Sequence, residues 1–172
     1  MKKIIKRVAL GLVALMILVA IGFIIWAETP SQPGTDAMTA LQSDSVVLVV
    51  DHGDYISFEP TGQKSTTAFL FYPGGHVDFR AYSPILHRVA EQGYLVVLVR
   101  VNLNLAFFDI EAGAPVLKNY PQVTTWVTGG HSLGGVAAAY CAQNQPVVVG
   151  IVFLRSYPGD ERLKNSSIRI LC

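Results

Sequence analysis

A chain of 172 residues has room for one domain. Thirteen Lys and Arg nearly balance twelve Asp and Glu, yet Lys2, Lys3, Lys6 and Arg7 precede every acid, so nine cations face twelve acids in the rest of the chain. No basic stripe interleaved with aromatics is present, which leaves nucleic-acid binding without support, and the two cysteines, Cys141 and Cys172, show neither a CxxC nor a metal-ligand spacing. Residues 8–27 form an uncharged apolar run. As a helix rising ~1.5 Å per residue it spans a hydrocarbon core of ~30 Å. Trp26 at its end suits the membrane interface, and the preceding cations predict a cytoplasmic N-terminus with the remainder outside. A cleaved signal peptide is the competing reading.

Residues 28–35 read as a linker rich in Pro and polar residues. A short helix is expected over 36–42, capped by Thr35 or Asp36. Strand-like runs at 46–50 and 55–59 flank Asp51-His52-Gly53-Asp54 and predict a hairpin. A third strand, 66–72, runs into Pro73-Gly74-Gly75-His76. Ser83 and Pro84 suggest an N-cap and first helical position, Ile85, Leu86, Val89 and Ala90 supply one apolar face, and Gly93 ends that helix. The run 94–99 has the continuous apolarity of a strand buried on both faces. A loop at 102–109 carries Leu105, Phe107 and Phe108, and a weak helix near 112–119 tolerates Pro115 only in its first turn. Strands at 124–129 and 147–154 bracket a small-residue helix reaching about Asn144, and one more strand begins at 168–171. The opening hairpin followed by alternating strands and helices predicts an α/β fold, a mostly parallel sheet with helices on both faces and an antiparallel first strand pair. Active sites in such sheets lie at the carboxyl ends of the strands, where the 73–76 loop and Ser132 would meet.

The chemistry-bearing stretch is Gly130-His131-Ser132-Leu133-Gly134. A β-branched run precedes it and a small-residue helix follows, the strand–turn–helix context of a G-x-S-x-G nucleophile elbow. The flanking glycines meet the steric demand of so tight a turn, and the serine hydroxyl stands at the positive end of the helix. Ser132 is therefore the candidate nucleophile. His131 beside it reads as a packed, hydrogen-bonded residue, since neighbouring side chains at a sharp turn diverge. His52 and His87 read as solvated, His76 as a surface residue beside the glycine loop, Cys141 as a core thiol, and a disulfide between Cys141 and Cys172 would rest on two cysteines alone.

The GGHSLGG elbow, the FYPGG turn, the GYLVVLV strand, the NLAFFD loop and the SYP segment occur in an order that resembles an α/β-hydrolase, specifically a small membrane-anchored bacterial type, over most of residues 36–172. The resemblance implies a membrane-anchored serine hydrolase with its domain outside the cytoplasm, whose Ser132 attacks an ester or related acyl carbon of a small-molecule substrate. It implies an oxyanion hole from the Leu133 amide and one of Gly75 or His76, and no cofactor or metal. In the family the triad acid follows the seventh strand and the histidine the eighth. Here all four histidines precede Ser132, so the chain reads as the N-terminal two thirds of such a protein, with a non-catalytic tethered module of the same fold as the alternative. Asp160 and Glu161 read as solvated loop charges. Leu105, Phe107, Phe108 and Tyr157 either line an acyl pocket or pack under further segments. Asn165-Ser166-Ser167 matches a glycosylation sequon, discounted for a bacterial-type chain.

Overall fold

A computed structural model describes residues 2–62, 64–159, 161, 163, 164 and 166–172; Asp160 and Asn165 lie outside the described residues. Seven described strands make one sheet: β1 (Val47–Asp51), β2 (Tyr55–Pro60), β3 (Thr67–Tyr72), β4 (Leu95–Val99), β5 (Thr125–His131), β6 (Val148–Leu154) and β7 (Arg169–Leu171). Their order is β1-β2-β4-β3-β5-β6-β7. The β1/β2 and β2/β4 pairs are antiparallel, and every pair from β4 onward is parallel. The chain leaves β3 toward β4 and then returns to place β5 on the other flank of β3. Right-handed crossovers to opposite flanks put the connecting helices on opposite faces.

Helices α1 (Lys2–Ala27), α2 (Thr35–Thr39), α3 (Ser83–Glu91), α4 (Ala114–Leu117) and α5 (Leu133–Asn144) complete the elements. Strand alternation divides the core in two. Leu70, Tyr72, Val97 and Trp126 point to the face covered by α5, with Ala137, Ala138 and Cys141 of that helix. Phe71, Val96 and Leu98 point to the α3 face, with Leu86 and Ala90. The small side chains of α5 let its backbone lie close on β5 and β6, and the buried Thr128 hydroxyl donates to the Ala138 carbonyl at 3.2 Å. On the α3 face a depression of about 430 Å³ remains, lined by Phe69, Ile85, Val89, Val127, Val152 and Leu154. No described helix covers that part of β5 and β6.

Several local features differ from the sequence expectation. The N-cap of α2 is Gly34, with no side-chain cap. A 3₁₀ turn, Phe79–Tyr82, runs directly into α3, so Tyr82 occupies the cap position and Ser83 is already helical. The buried Ser83 hydroxyl has no partner among the described residues. Gly93, at φ +91°, does end that helix, and Pro115 does sit in the first turn of α4. His87 is buried rather than solvated: its Nδ1 meets the Ala40 carbonyl at 2.8 Å and its Nε2 the Asp44 carboxylate at 3.2 Å. The 28–35 segment does not run free, because Ser31 forms a parallel bridge to Val77 beside the loop after β3.

The β5–α5 turn is the tightest approach of backbone to backbone. A Cβ on Gly134 would strike the carbonyl oxygens of Tyr72 and Pro73, and one on Gly130 would strike the Gly134 carbonyl. Gly134→Ala is accordingly expected to destabilise the fold by about 1–3 kcal/mol or more, measured by chemical denaturation of the full chain in detergent. The two thiols should also differ in reactivity. Burial pushes Cys141 up to about 11, and it is enclosed, whereas Cys172 is exposed. Iodoacetamide at about pH 8 should alkylate Cys172 alone in the native protein and both cysteines in urea, read by peptide mass spectrometry.

Candidate functional site

Strands β3, β4, β5 and β6 are parallel and end at one edge of the sheet. Backbone strain concentrates there. The non-glycine residues with positive φ among those described are His76, Leu103, Asn104, Ser132 and Arg155, and each follows the carboxyl end of one of these strands. Such conformations are sparsely populated and persist only where surrounding contacts over-determine them.

Ser132 carries the sharpest case, at φ 50° and ψ −119°. Its amide donates to the Leu154 carbonyl at the end of β6 at 3.1 Å. Its carbonyl accepts from the Gly135 amide at 3.0 Å and from the Ser156 hydroxyl at 2.6 Å. These three bonds hold the turn and leave the side chain exposed, with no hydrogen bond to its hydroxyl among the described residues. Ser156 belongs to the SYP segment, whose spacing gave no hint of this support. The Leu133 amide opens α5, where helix N–H groups lack intrahelical partners and favour negative charge.

The loop after β3 lies against this turn. The Gly74 amide donates to the Tyr82 hydroxyl at 3.0 Å, and that hydroxyl lies 2.9 Å from His131 Nδ1. Burial raises the Tyr82 phenol above its ordinary pKa, keeping it neutral. His131 is thus engaged by Tyr82, as expected of a packed histidine. The His76 amide donates to the Asn104 carbonyl at 2.8 Å. The Gly75 amide has no intramolecular partner among the described residues. A Cβ at Gly75 would lie 3.2 Å from both the Leu105 and the Leu133 side chains, so the glycine sits between them.

The remaining histidines are engaged elsewhere. His52 stacks on Tyr55 and bonds Ser57 at 2.9 Å. His76 lies flat against Trp26, ring centroids 4.2 Å apart at 5°, with its Nε2 2.7 Å from the Trp26 carbonyl oxygen. No histidine hydrogen-bonds Ser132 among the described residues. Glu161 is exposed and pairs with Lys164 at 2.8 Å. Asp44, His87 and Glu91 bring possible metal-ligand atoms within 4.8 Å of one another, but both nitrogens of His87 already have partners. A polar cleft of about 820 Å³, lined in part by Asp54, Arg100, Asn102 and Asp109, lies beside the end of β4; Ser132 is not part of its wall.

The end of α1 docks on this same edge. Besides the His76 stack, the Ala27 carbonyl accepts from Asn104 Nδ2 at 3.0 Å, Ala27 is fully buried, and Phe23 meets Phe108 edge-on at 5.9 Å. The helix is long and apolar enough to cross a membrane by length and composition.

Comparison with known proteins agrees with this architecture. Two solved structures share the fold at low identity. One is an esterase from the bacterial hormone-sensitive lipase family, at 18% identity and a TM-score of 0.55, covering 80% of this chain and 56% of that one. The other is an esterase of Pyrobaculum calidifontis, at 19% and 0.51, covering 68% and 47%. The chain thus spans about half the length of these structures. No curated protein sequence matches it. Residues 68–172, from β3 through the turn at Ser132 to the last residue, match the family model described as "Alpha/beta hydrolase family". With the strand order, the strained serine turn and the glycine loop facing it, this match over more than half of the chain establishes that it belongs to the α/β-hydrolase family.

Proposed function

We propose that the chain is a membrane-anchored serine hydrolase acting on a carboxylic ester or related acyl substrate. The observation that carries this reading is the exposed hydroxyl of Ser132 on a strained turn, which has no hydrogen bond among the described residues, beside the Leu133 and Gly75 amides, which have no partner among them either. Ser132 Oγ attacks the acyl carbon, and the carbonyl electron pair moves onto oxygen. The Leu133 and Gly75 amides receive that oxyanion. Collapse expels the alcohol and leaves an acyl-enzyme, which water then cleaves. His76 is the weaker second donor, because its amide already serves Asn104. Gly130, His131 and Gly134 shape the elbow without touching substrate. The proton of Ser132 requires a base, and in the family pattern the acid and the histidine follow the seventh and eighth strands; the seven strands here supply the nucleophile and oxyanion half. No cofactor or metal enters this reading.

In the same reading residues 1–27 anchor the chain, 28–35 connect, and 36–172 form the hydrolase domain. Lys2, Lys3, Lys6 and Arg7 hold the N-terminus in the cytoplasm and leave the domain outside. A second reading, a tethered binding module with no turnover, is favoured by one observation: each of the four histidines is committed to a partner other than Ser132.

A fluorophosphonate probe separates the two. Labelling of the wild type that disappears in Ser132→Ala supports an activated serine, and folded protein that stays unlabelled supports the binding module. Tyr82→Phe removes the acceptor of the Gly74 amide and the hydrogen-bond partner of His131 Nδ1. It is expected to lower stability by about 1–2 kcal/mol and to slow labelling, since the glycine loop and the elbow lose their shared tie; a denaturant midpoint and a labelling time course measure the two effects.

A further inference from the structure

The segment Asn102–Phe108 contains no charged residue and ends in two exposed rings. Phe107 is 71% exposed and Phe108 52%, and they stand edge to face with centroids 5.8 Å apart. Contiguous exposed apolar side chains are candidates for an interaction surface. The position of this pair relative to α1 identifies the surface. Phe108 touches Phe23, three residues before Trp26, and so sits roughly 4.5 Å further into α1 at ~1.5 Å rise per residue. A helix that crosses a bilayer with Trp26 at its interface therefore carries the Phe108 ring to the depth of the outermost hydrocarbon.

The same loop reaches the serine turn from its other end. Leu105 lies against Gly75, and Gly75 against Leu133, the residue after Ser132. Trp26, His76 and Gly75 make a second short path, through the ring stack and one peptide bond. With α1 crossing a bilayer, the serine edge of the sheet would face it, and Phe107, Phe108, Leu105 and Leu133 would line an apolar track from bilayer to turn.

We propose that Phe107 and Phe108 insert into the outer leaflet, and that the substrate is an acyl ester of a membrane lipid, taken laterally from the bilayer rather than from water. This inference rests on the reading of Ser132 as a nucleophile and of α1 as an anchor. The acyl chain follows the apolar track while the ester carbonyl lies at headgroup level, near the depth of Trp26.

Two measurements on the full chain in vesicles of phosphatidylcholine and phosphatidylglycerol test it. In a Cys172→Ser background, Phe107→Cys carries an environment-sensitive NBD label, and Gln122→Cys, exposed before β5 at the opposite edge, carries the same label as a reference. Blue-shifted emission at 107, quenched by shallow nitroxide lipids, with aqueous emission at 122, supports insertion. A label at 107 as unquenched as that at 122 overturns it. In the second measurement, Ser132 is labelled by a long-chain fluorophosphonate dissolved in the vesicles and by a short water-soluble one. The ratio of the two rates is expected to fall at least about tenfold, or ~1.4 kcal/mol, in Phe107→Ser/Phe108→Ser; an unchanged ratio overturns lateral uptake. Labelling by the soluble probe alone rejects the lipid substrate and keeps the nucleophile. Labelling by neither rejects the nucleophile and with it lateral uptake, while the depth measurement still decides insertion.

Discussion

The closest constraint in this molecule is steric. Helix α5 begins so near the end of β3 that position 134 has no room for a Cβ against the Tyr72 and Pro73 carbonyls, and position 130 has none against Gly134. Everything at the carboxyl edge follows from that approach. It brings the serine turn against the glycine loop, so that Leu133 and Gly75 become neighbours although they are far apart in sequence. Between the two glycines Ser132 takes positive φ, a conformation that costs about 1–3 kcal/mol. The strain is held by bonds on both sides of the turn, from Leu154 at the end of β6 and Ser156 beyond it, and through the Tyr82–His131 contact on the β3 side.

Such an arrangement separates support from exposure. The backbone of Ser132 is fully occupied, and its side chain is not. The Gly74 amide is consumed by Tyr82 and the His76 amide by Asn104, while the Gly75 amide between them has no partner among the described residues. A loop in which two of three amides are tied down presents the third in a fixed direction, and the proposed oxyanion role of Gly75 draws on that fixity.

The framework was readable from the chain because its signals are local. The continuous apolar run at 94–99 became a β4 buried along its whole length, and Gly130 and Gly134 announced the turn by their spacing. What escaped the reading depends on residues far apart in sequence. On its own helix His87 reads as solvated, and the approach of Phe58, Ala40 and Asp44, far away in sequence, encloses it. Ser83 looked like a cap, and the 3₁₀ turn before it took that role. Tyr82 carries no motif and the SYP segment gave no sign of the Ser156 bond, yet they brace the elbow from a 3₁₀ turn and a loop. Residues 28–35 had the composition of a free linker, and Ser31 instead pairs with Val77. Neither composition nor periodicity reports that a helix end docks on a loop fifty residues away.

That docking bears on how the protein is handled. Trp26 covers one face of the His76 ring, and the last two carbonyls of α1 satisfy His76 Nε2 and Asn104 Nδ2. Cutting the chain at Glu28 to obtain a water-soluble form would remove an aromatic lid and two hydrogen-bond acceptors from the loops that flank Ser132. A soluble derivative faithful to the native edge must keep the final turn of α1, from Phe23 to Ala27, and exchange only the apolar residues before it.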